Sequence, residues 1–202
     1  MNLRASLRPA IMMVVVFTVL LGIIYPLATT GLAQVLFNDK ADGSLIETNG
    51  TVTGSSLIGQ SFIDADTNQV IPGYFRGRPS ASNYDAMASG GSNFGPTNPD
   101  LVVRVNELVG IIRTENGLEA TAMIPVDLVT ASGSGLDPAV SPASASIQVA
   151  RVANERGISV DQVTDLVNQS TAGMTLGFLG ADRVDVLKLN QLLDERYPMA
   201  GA

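Results

Sequence analysis

The 202-residue chain contains no histidine and no cysteine. The lack of histidine excludes a Ser-His-Asp or Cys-His triad, an imidazole general base and a histidine-ligated metal. The lack of cysteine excludes thiol catalysis, CxxC redox chemistry, thiolate zinc sites and disulfides. Carboxylate chemistry is the catalytic option that remains.

Positive charge is scarce beyond the N-terminal region. After Phe37, ten lysines and arginines stand against nineteen acids, which gives a net charge of about −9. No basic patch is visible, so nucleic acid is not expected as a partner. An acidic surface keeps a domain soluble and mildly enriches cations nearby, and solubility alone is the simpler explanation.

One long uncharged run lies near the N-terminus, at residues 10–37. As a helix it is roughly 40 Å long, more than the ~30 Å hydrocarbon core of a bilayer. The sequence therefore predicts a single transmembrane helix over residues 10–37. Residues 38–50, which are polar and turn-rich, are predicted to be a linker to one domain at residues 51–202.

Charge asymmetry around this run predicts its orientation. Arg4 and Arg8 precede it and acids follow it, so the positive-inside rule places residues 1–9 in the cytoplasm. The domain is then extracytoplasmic, and the chain is a single-pass protein of the cell (inner) membrane. A cleaved signal peptide is the alternative, but its apolar core would be much shorter.

Small residues recur every four positions inside the run, at Thr18, Gly22, Pro26 and Thr30. On an α-helix they form one ridge, and small residues let a partner helix approach closely in lipid. These four residues are candidate contacts with a partner helix. The alternative is that such residues are simply common in membrane helices.

The rest of the chain predicts an α+β fold. Strands are expected at residues 52–62 and 123–130. Local start signals predict four helices. Asn98-Pro99 begins the first, which ends at Asn116-Gly117, and Ser141-Pro142 begins the second, which runs to about Arg156. Ser159 and Gln162 form a capping box that begins the third, and Asp185 caps the last.

Residues 72–97 form the least regular stretch, which is typical of a functional or partner-contacting loop. Within it, Ser89, Gly90, Gly91 and Ser92 are weak candidates for binding a phosphate through backbone amides. A plain turn is the alternative, because no Walker A lysine follows the glycines.

Two pairs of charged residues are further candidates. Arg76 and Arg78 are suited to clamp an anionic group of a partner, or to hold their loop to a carboxylate of the same fold. Asp127 and Asp137 bracket a second glycine-rich loop. Paired carboxylates serve general acid/base chemistry or bind a cation, whereas Asp137-Pro138 also fits a simple turn.

At these loops the sequence closely resembles the C subunit of the Kdp potassium-transporting P-type ATPase. The matching segments run through nearly the whole chain in order: the anchor after Leu7-Arg8-Pro9, then residues 54–62, 74–80, 88–96, 125–138, 176–180 and 184–194. Ala139 departs from the resemblance, since a histidine is expected there in many members. This argues against an essential imidazole at that position.

The resemblance implies a non-catalytic accessory subunit of a high-affinity ATP-driven potassium import complex. Its implied partners are a potassium-conducting subunit, an ATP-hydrolysing subunit and a small single-helix subunit, together with membrane lipid. It also implies a role in assembly and as a chaperone that raises the ATP affinity of the hydrolysing subunit. No catalytic residue, metal or directly bound cofactor carries over, because ATP and K⁺ are handled by the complex.

Two other functions remain open on the residues alone. One is a secreted or anchored ligand-binding protein, which a mature chain beginning near Gln34 would favour. The other is an anchored hydrolase based on carboxylates, which turnover of any substrate by residues 38–202 would favour.

Overall fold

The apolar N-terminal residues form one long helix in three consecutive segments: α1 (Leu3–Val19), a π-helical turn (Leu20–Ile24) and α2 (Tyr25–Ala41). The computed structural model describes residues 3–48, 50–64, 67 and 69–199. In that part of the chain, Ser6–Leu36 is the one candidate membrane span, with a mean hydropathy of 2.6 and none of it buried. The predicted apolar helix is confirmed, and its length suits membrane anchoring.

The π-helical turn lies directly before Pro26. In a regular α-helix the nitrogen of residue 26 would donate to the carbonyl of Gly22, but proline has no N–H and its ring crowds that carbonyl. A wider turn, in which the Tyr25 N–H donates to Leu20 O, accommodates the proline.

This turn affects the predicted ridge of small residues. A π turn holds one extra residue, so the helix after it is rotated by roughly 100° relative to a continuous α-helix. On a regular α-helix a four-residue spacing drifts by about 40° per step, and the opposite rotation at the π turn offsets most of that drift. Thr18, Gly22, Pro26 and Thr30 therefore lie on one face of the helix, as the predicted ridge requires. All four residues are exposed in the chain by itself.

The helix bends where the uncharged run ends. Phe37 has non-helical backbone angles, with φ −145° and ψ 45°. Beyond it, strands β1 (Leu45–Thr48) and β2 (Thr51–Ser55) form an antiparallel hairpin. Residues 38–50 were predicted to be turn-rich, but they contain the last turn of α2 and all of β1.

Residues from Ser56 onward form a second unit. Its helices are α3 (Pro99–Glu115), α4 (Pro142–Ser146), α5 (Val149–Arg156), α6 (Val160–Gln169) and α7 (Val186–Arg196). Its strands β3 (Ala139–Val140), β4 (Thr171–Ala172) and β5 (Arg183–Asp185) form an antiparallel sheet in the order β3-β5-β4. Short 3₁₀ turns cover Ala86–Ala88 and Val126–Leu128. The predicted mixture of helix and sheet is confirmed.

The predicted helix starts are confirmed by the capping contacts. The Asn98 side chain accepts from Asp100 N, the Ser141 side chain from Ser144 N, and the Asp185 side chain from Lys188 N. Ser159 and Gln162 form the full capping box. These residues cap well because their short polar side chains accept from the free N–H groups of the first turn.

Three predictions about regular structure are wrong in part. The strand predicted over residues 52–62 ends at Ser55. The strand predicted over residues 123–130 is a 3₁₀ turn, in which Leu128 N donates to Pro125 O, because Pro125 has no N–H to offer a sheet. The helix predicted from Ser141 to Arg156 is interrupted between α4 and α5, next to Gln148.

The core of the second unit lies where α4, α5, α6 and α7 pack together, with α4 and α7 in contact with the three-stranded sheet. Its buried apolar residues come from helices α3 to α7, from strands β3 and β5 and from two other segments: Phe75, Ile112, Leu128, Val129, Val140, Ala145, Val149, Val152, Ala153, Val163, Leu166, Val167, Val184, Val186, Leu189 and Leu193. Phe75 is fully buried although it lies in irregular chain, so the loop that contains it is anchored in the core.

Candidate functional site

Two side-chain amides hold the loop at Phe75 and Arg76. Phe75 N donates to Asn190 Oδ1 at 2.8 Å, and Asn190 Nδ2 donates to Phe75 O at 3.0 Å. Arg76 N donates to Gln148 Oε1 at 2.8 Å, and Gln148 Nε2 donates to Arg76 O at 3.2 Å. Both amide side chains are buried. Each amide exchanges two hydrogen bonds with the backbone of one loop residue, as the backbone of a neighbouring strand would. The buried N–H and C=O groups of Phe75 and Arg76 are thereby satisfied.

Two arginines of α5 bind the start of the same loop. Arg151 Nη1 donates to Pro72 O at 2.6 Å and to Tyr74 O at 2.9 Å. Burial lowers the pKa of Arg151 to about 10, which still leaves the guanidinium charged at neutral pH. Arg156 Nε donates to Gly73 O at 2.7 Å, and its guanidinium lies 4.9 Å from the centre of the Tyr74 ring. The loop is therefore fixed by helices that are remote from it in sequence.

The two candidate arginines, Arg76 and Arg78, both pair with carboxylates of their own fold. Arg76 Nε donates to Glu115 Oε2 at 3.2 Å and Arg76 Nη2 donates to Glu115 Oε1; the two side chains are 8% and 7% exposed. Arg78 Nη1 lies 3.1 Å from Asp137 Oδ2, with side chains 26% and 33% exposed. The structure thus favours the alternative in which these arginines order their loop.

The two glycine-rich loops are joined to each other. Gly90 N donates to Ser134 O at 2.8 Å, and Ser89 Oγ donates to the same oxygen at 3.0 Å. A Cβ atom at Gly91 would lie 3.1 Å from Gly133 O, so glycine allows this close approach. Two donors of the Ser89–Ser92 segment are satisfied within the protein, which favours a structural turn over a phosphate cradle.

A cleft of about 270 Å³ lies between the loop at residues 76–80 and α3. Its lining includes Arg76, Arg78, Tyr84, Arg104 and Glu107. Burial raises the pKa of Tyr84 to about 12, and Asp137 acts in the same direction, so the hydroxyl stays neutral and donates to Arg78 O at 2.6 Å. The cleft is small beside ligand pockets of roughly 300–1,000 Å³.

Asp127 and Asp137 have separate structural roles. Asp137 pairs with Arg78, and its Oδ1 accepts from Ala139 N at 3.0 Å. Asp127 Oδ2 accepts from Ser141 N at 2.6 Å, and its Oδ1 accepts from Ser144 Oγ at 2.6 Å. Burial acts to raise the pKa of Asp127, but these hydrogen bonds outweigh it and lower the pKa. In the part of the chain that is described, no group of three or more His, Cys, Asp or Glu side chains is placed to hold a metal ion.

Asp127→Asn tests this assignment through pH. Because the folded pKa is lowered, the carboxylate stabilises the fold above its unfolded pKa of about 3.9, and the contribution is lost as pH falls through the folded pKa. Urea unfolding of the full chain in mild detergent should show wild type more stable than the variant at pH 7, with a smaller difference at pH 3. The exposed Asp165→Asn is the control, and an equal difference at both pH values would contradict the assignment.

Gln148 and Asn190 are site residues that sequence analysis missed. Asn190 lies among Val186, Leu189 and Leu193, at positions that helical periodicity places on the buried face. A polar residue on an apolar stripe signals a buried hydrogen bond. The sequence shows that Asn190 interrupts the apolar stripe, but it does not show that the hydrogen-bond partner is Phe75, 115 residues away.

Comparison with known proteins identifies the family. A family model described as KdpC, the K⁺-transporting ATPase c chain, matches residues 7–195. The potassium-transporting ATPase KdpC subunit of Koribacter versatilis is 51% identical over 200 residues, which cover 98% of this chain and 98% of the relative. The KdpC subunit of Mycobacterium tuberculosis is 50% identical over 194 residues, which cover 95% of this chain and 99% of the relative. The KdpC subunit of Polaromonas naphthalenivorans is 52% identical over 200 residues, which cover 98% of this chain and 98% of the relative. The resemblance drawn from the motifs is confirmed, and the chain belongs to the KdpC family.

Proposed function

We propose that this chain is the non-catalytic accessory subunit of an ATP-driven potassium-transporting complex. The observation that carries the proposal is the family match over residues 7–195, at about 50% identity to curated KdpC subunits. The partners are a potassium-conducting subunit, an ATP-hydrolysing subunit and a small single-helix subunit. The chain serves their assembly and raises the ATP affinity of the hydrolysing subunit.

The experiment is a comparison of the complex with and without this chain. Complementation of a strain that lacks only this subunit should restore ATP-driven potassium uptake. Nucleotide titration into the purified complex should show weaker ATP binding when the subunit is absent. Unchanged uptake and unchanged ATP affinity without the chain would overturn the proposal.

The effect on ATP affinity is proposed to be allosteric. The region beyond Phe37 has a charge of about −9, which repels a polyphosphate, and the Gly90 amide is already bonded to Ser134 O. The chain alone therefore binds ATP no tighter than roughly millimolar, or about 4 kcal/mol. Coupling through the membrane helices, typically ~1–3 kcal/mol, supplies the change in affinity. Calorimetry on the chain in detergent tests this, and micromolar binding lost in Gly90→Val would contradict it.

The proposed orientation has a cytoplasmic N-terminus and an extracytoplasmic second unit. Arg4 and Arg8 precede the uncharged run, and acids follow it. A reporter that is active only outside the cytoplasm should therefore be active when fused at Ala202. Placing two or three lysines at positions 39–42 should scramble the orientation. Equal activity of a cytoplasm-only reporter at Ala202 would contradict the topology.

Partner contact in the membrane is proposed for the small residues of the helix. Gly22 is exposed, and a Cβ atom there would meet nothing within 4 Å in the chain alone. Gly22→Leu should therefore not disturb the chain itself but should reduce co-purification with the partner subunits, since a close helix contact is worth ~1 kcal/mol. Val15→Leu, at an exposed position that is already bulky, is the matched control. Wild-type yields for both variants would place this face against lipid.

A further inference from the structure

A second hairpin lies between β4 and β5, at residues 173–182, and is called the apolar hairpin here. Its stem continues the β4–β5 pairing, in which Ala172 lies opposite Arg183. Every residue from 173 to 182 is exposed. The hairpin therefore extends beyond the core of the second unit and contributes no buried side chain to it.

The tip of the apolar hairpin has a defined conformation. Thr175 N donates to Leu179 O at 2.9 Å, and Leu179 N donates to Thr175 O at 3.0 Å. Between them, Leu176 and Gly177 both have positive φ, at 56° and 79°. Glycine adopts this conformation without strain and asparagine adopts it readily, whereas leucine is disfavoured there. Leu176 is thus poorly suited to the turn that it occupies.

Four large apolar side chains are exposed on this hairpin. Leu176 is 79% exposed, Phe178 70%, Leu179 50% and Met174 46%. Because they pack against little of their own domain, they add little to its stability. An exposed apolar cluster with no folding role is typical of a surface that another molecule covers.

A bilayer surface is a poor occupant for this cluster. Residues 171–181 contain no charged side chain, and the whole chain contains no tryptophan. Segments that insert at a membrane interface usually combine apolar residues with tryptophan, lysine or arginine. The charge of about −9 beyond Phe37 also repels anionic lipid.

A second copy of the chain is also a poor occupant. A specific interface buries roughly 800 Å² on each partner, far more than four side chains supply. Pairing two copies would bring two acidic regions together. A small projecting element is instead suited to a preformed concave surface, where a few buried aromatic and aliphatic side chains carry most of the affinity.

We propose that the apolar hairpin docks into an apolar groove on another protein subunit of the transport complex. This inference rests on the proposed function and adds the docking element to it. Leu176 and Phe178 are the residues that enter the groove. The conformation of Leu176, which folding does not favour, is maintained because the side chain is needed at the tip.

Substitution at the tip separates docking from folding. The double variant Leu176→Asn with Phe178→Ser should leave the melting temperature of the full chain in detergent unchanged or raised, because asparagine suits the turn. Its affinity for the remaining subunits should fall by roughly 100-fold or more, as expected when two apolar side chains are no longer buried. The matched control is Met123→Ser with Val126→Ser, at positions 92% and 70% exposed elsewhere on the same unit. Equal losses in both double variants, or no loss in the first, would overturn the proposal.

A fluorescent label identifies the occupant. Since the chain has no cysteine, Phe178→Cys provides a unique site for a bimane label, with Asn168→Cys at an exposed position of α6 as the control. In nanodiscs of zwitterionic and anionic lipid, the label at 178 should shift to shorter wavelength only when the partner subunits are present. If the label shifts without the partners and spin-labelled lipid quenches its fluorescence, the hairpin lies in the bilayer. If the label on the chain alone shifts as the concentration of the chain rises, the hairpin contacts a second copy. Either result would overturn the proposal. If the label does not shift in a complex that still transports potassium, the docking role is overturned and the proposed function stands. If the unlabelled wild-type chain fails to join the partner subunits, both the docking role and the proposed function are overturned.

Discussion

Arg76→Ala should lower the free energy of unfolding of the second unit by roughly 3–5 kcal/mol, because it leaves a buried carboxylate without its cation. Glu115 is 7% exposed in its side chain and accepts from Arg76 and from Val70 N at 2.9 Å. In the variant, the backbone N–H of Val70 and the more distant guanidinium of Arg151 compensate its charge less well than Arg76 does. Urea unfolding of the full chain in mild detergent, followed by the near-ultraviolet signal of tyrosine, measures the loss.

Arg78→Ala is the matched control for this prediction. The Arg78–Asp137 pair is also an arginine–carboxylate contact of the same loop, but its side chains are 26% and 33% exposed. A pair this exposed contributes only about 0–1 kcal/mol. Similar losses in the two single variants would show that burial does not decide the energy of these pairs.

A double variant separates the charge from the hydrogen bonds. Arg76→Met with Glu115→Gln removes both charges and keeps an oxygen that accepts from Val70 N. It should cost less than Arg76→Ala alone, since the cost of the single change comes from the uncompensated charge. If the double variant supports potassium uptake and Arg76→Ala does not, the loss in Arg76→Ala arises from disorder of the loop at the cleft. The predicted docking contact of Arg76 itself stays a proposal.

Local chemistry made part of this fold predictable from the sequence. Asn98, Ser141, Ser159 and Asp185 all cap helices as predicted, because a cap depends on residues within one turn of it. The long apolar helix was predictable for the same reason, since composition over a continuous run defines it.

Tertiary contacts decided what the sequence did not reveal. The helix predicted to continue to Arg156 is interrupted beside Gln148, whose amide binds Arg76 72 residues away. The partners of Arg76 and Arg78 are 39 and 59 residues away, so the sequence left two alternatives that only the fold could distinguish.

The second large effect is expected for Asn190→Leu. Leucine has the same branch point and the same number of heavy atoms as asparagine and suits the apolar face of α7. Its methyl groups are bulkier than the amide, so a packing cost adds to the loss of hydrogen bonds. The substitution leaves the N–H and the C=O of Phe75 buried without the partners that they have at 2.8 and 3.0 Å. Each buried unsatisfied group costs about 1–3 kcal/mol, so the expected loss for the two groups is about 2–6 kcal/mol. Asn168→Leu, at an exposed position of α6, makes the same chemical change at the surface and should stay within about 0.5 kcal/mol.

Combining Asn190→Leu with Gln148→Leu tests whether the two amides act on one element. Asn190 binds Phe75 and Gln148 binds the adjacent Arg76, so both hold the same stretch of loop. Once the first amide is lost and the loop moves to solvent, the second amide has less to lose. The double variant should therefore be less destabilised than the sum of the single variants, with a coupling in the range of about 0.5–3 kcal/mol that contacting residues show. Strict additivity in urea unfolding would mean that Phe75 and Arg76 are held independently, and that the loop at the cleft is not a single cooperative element.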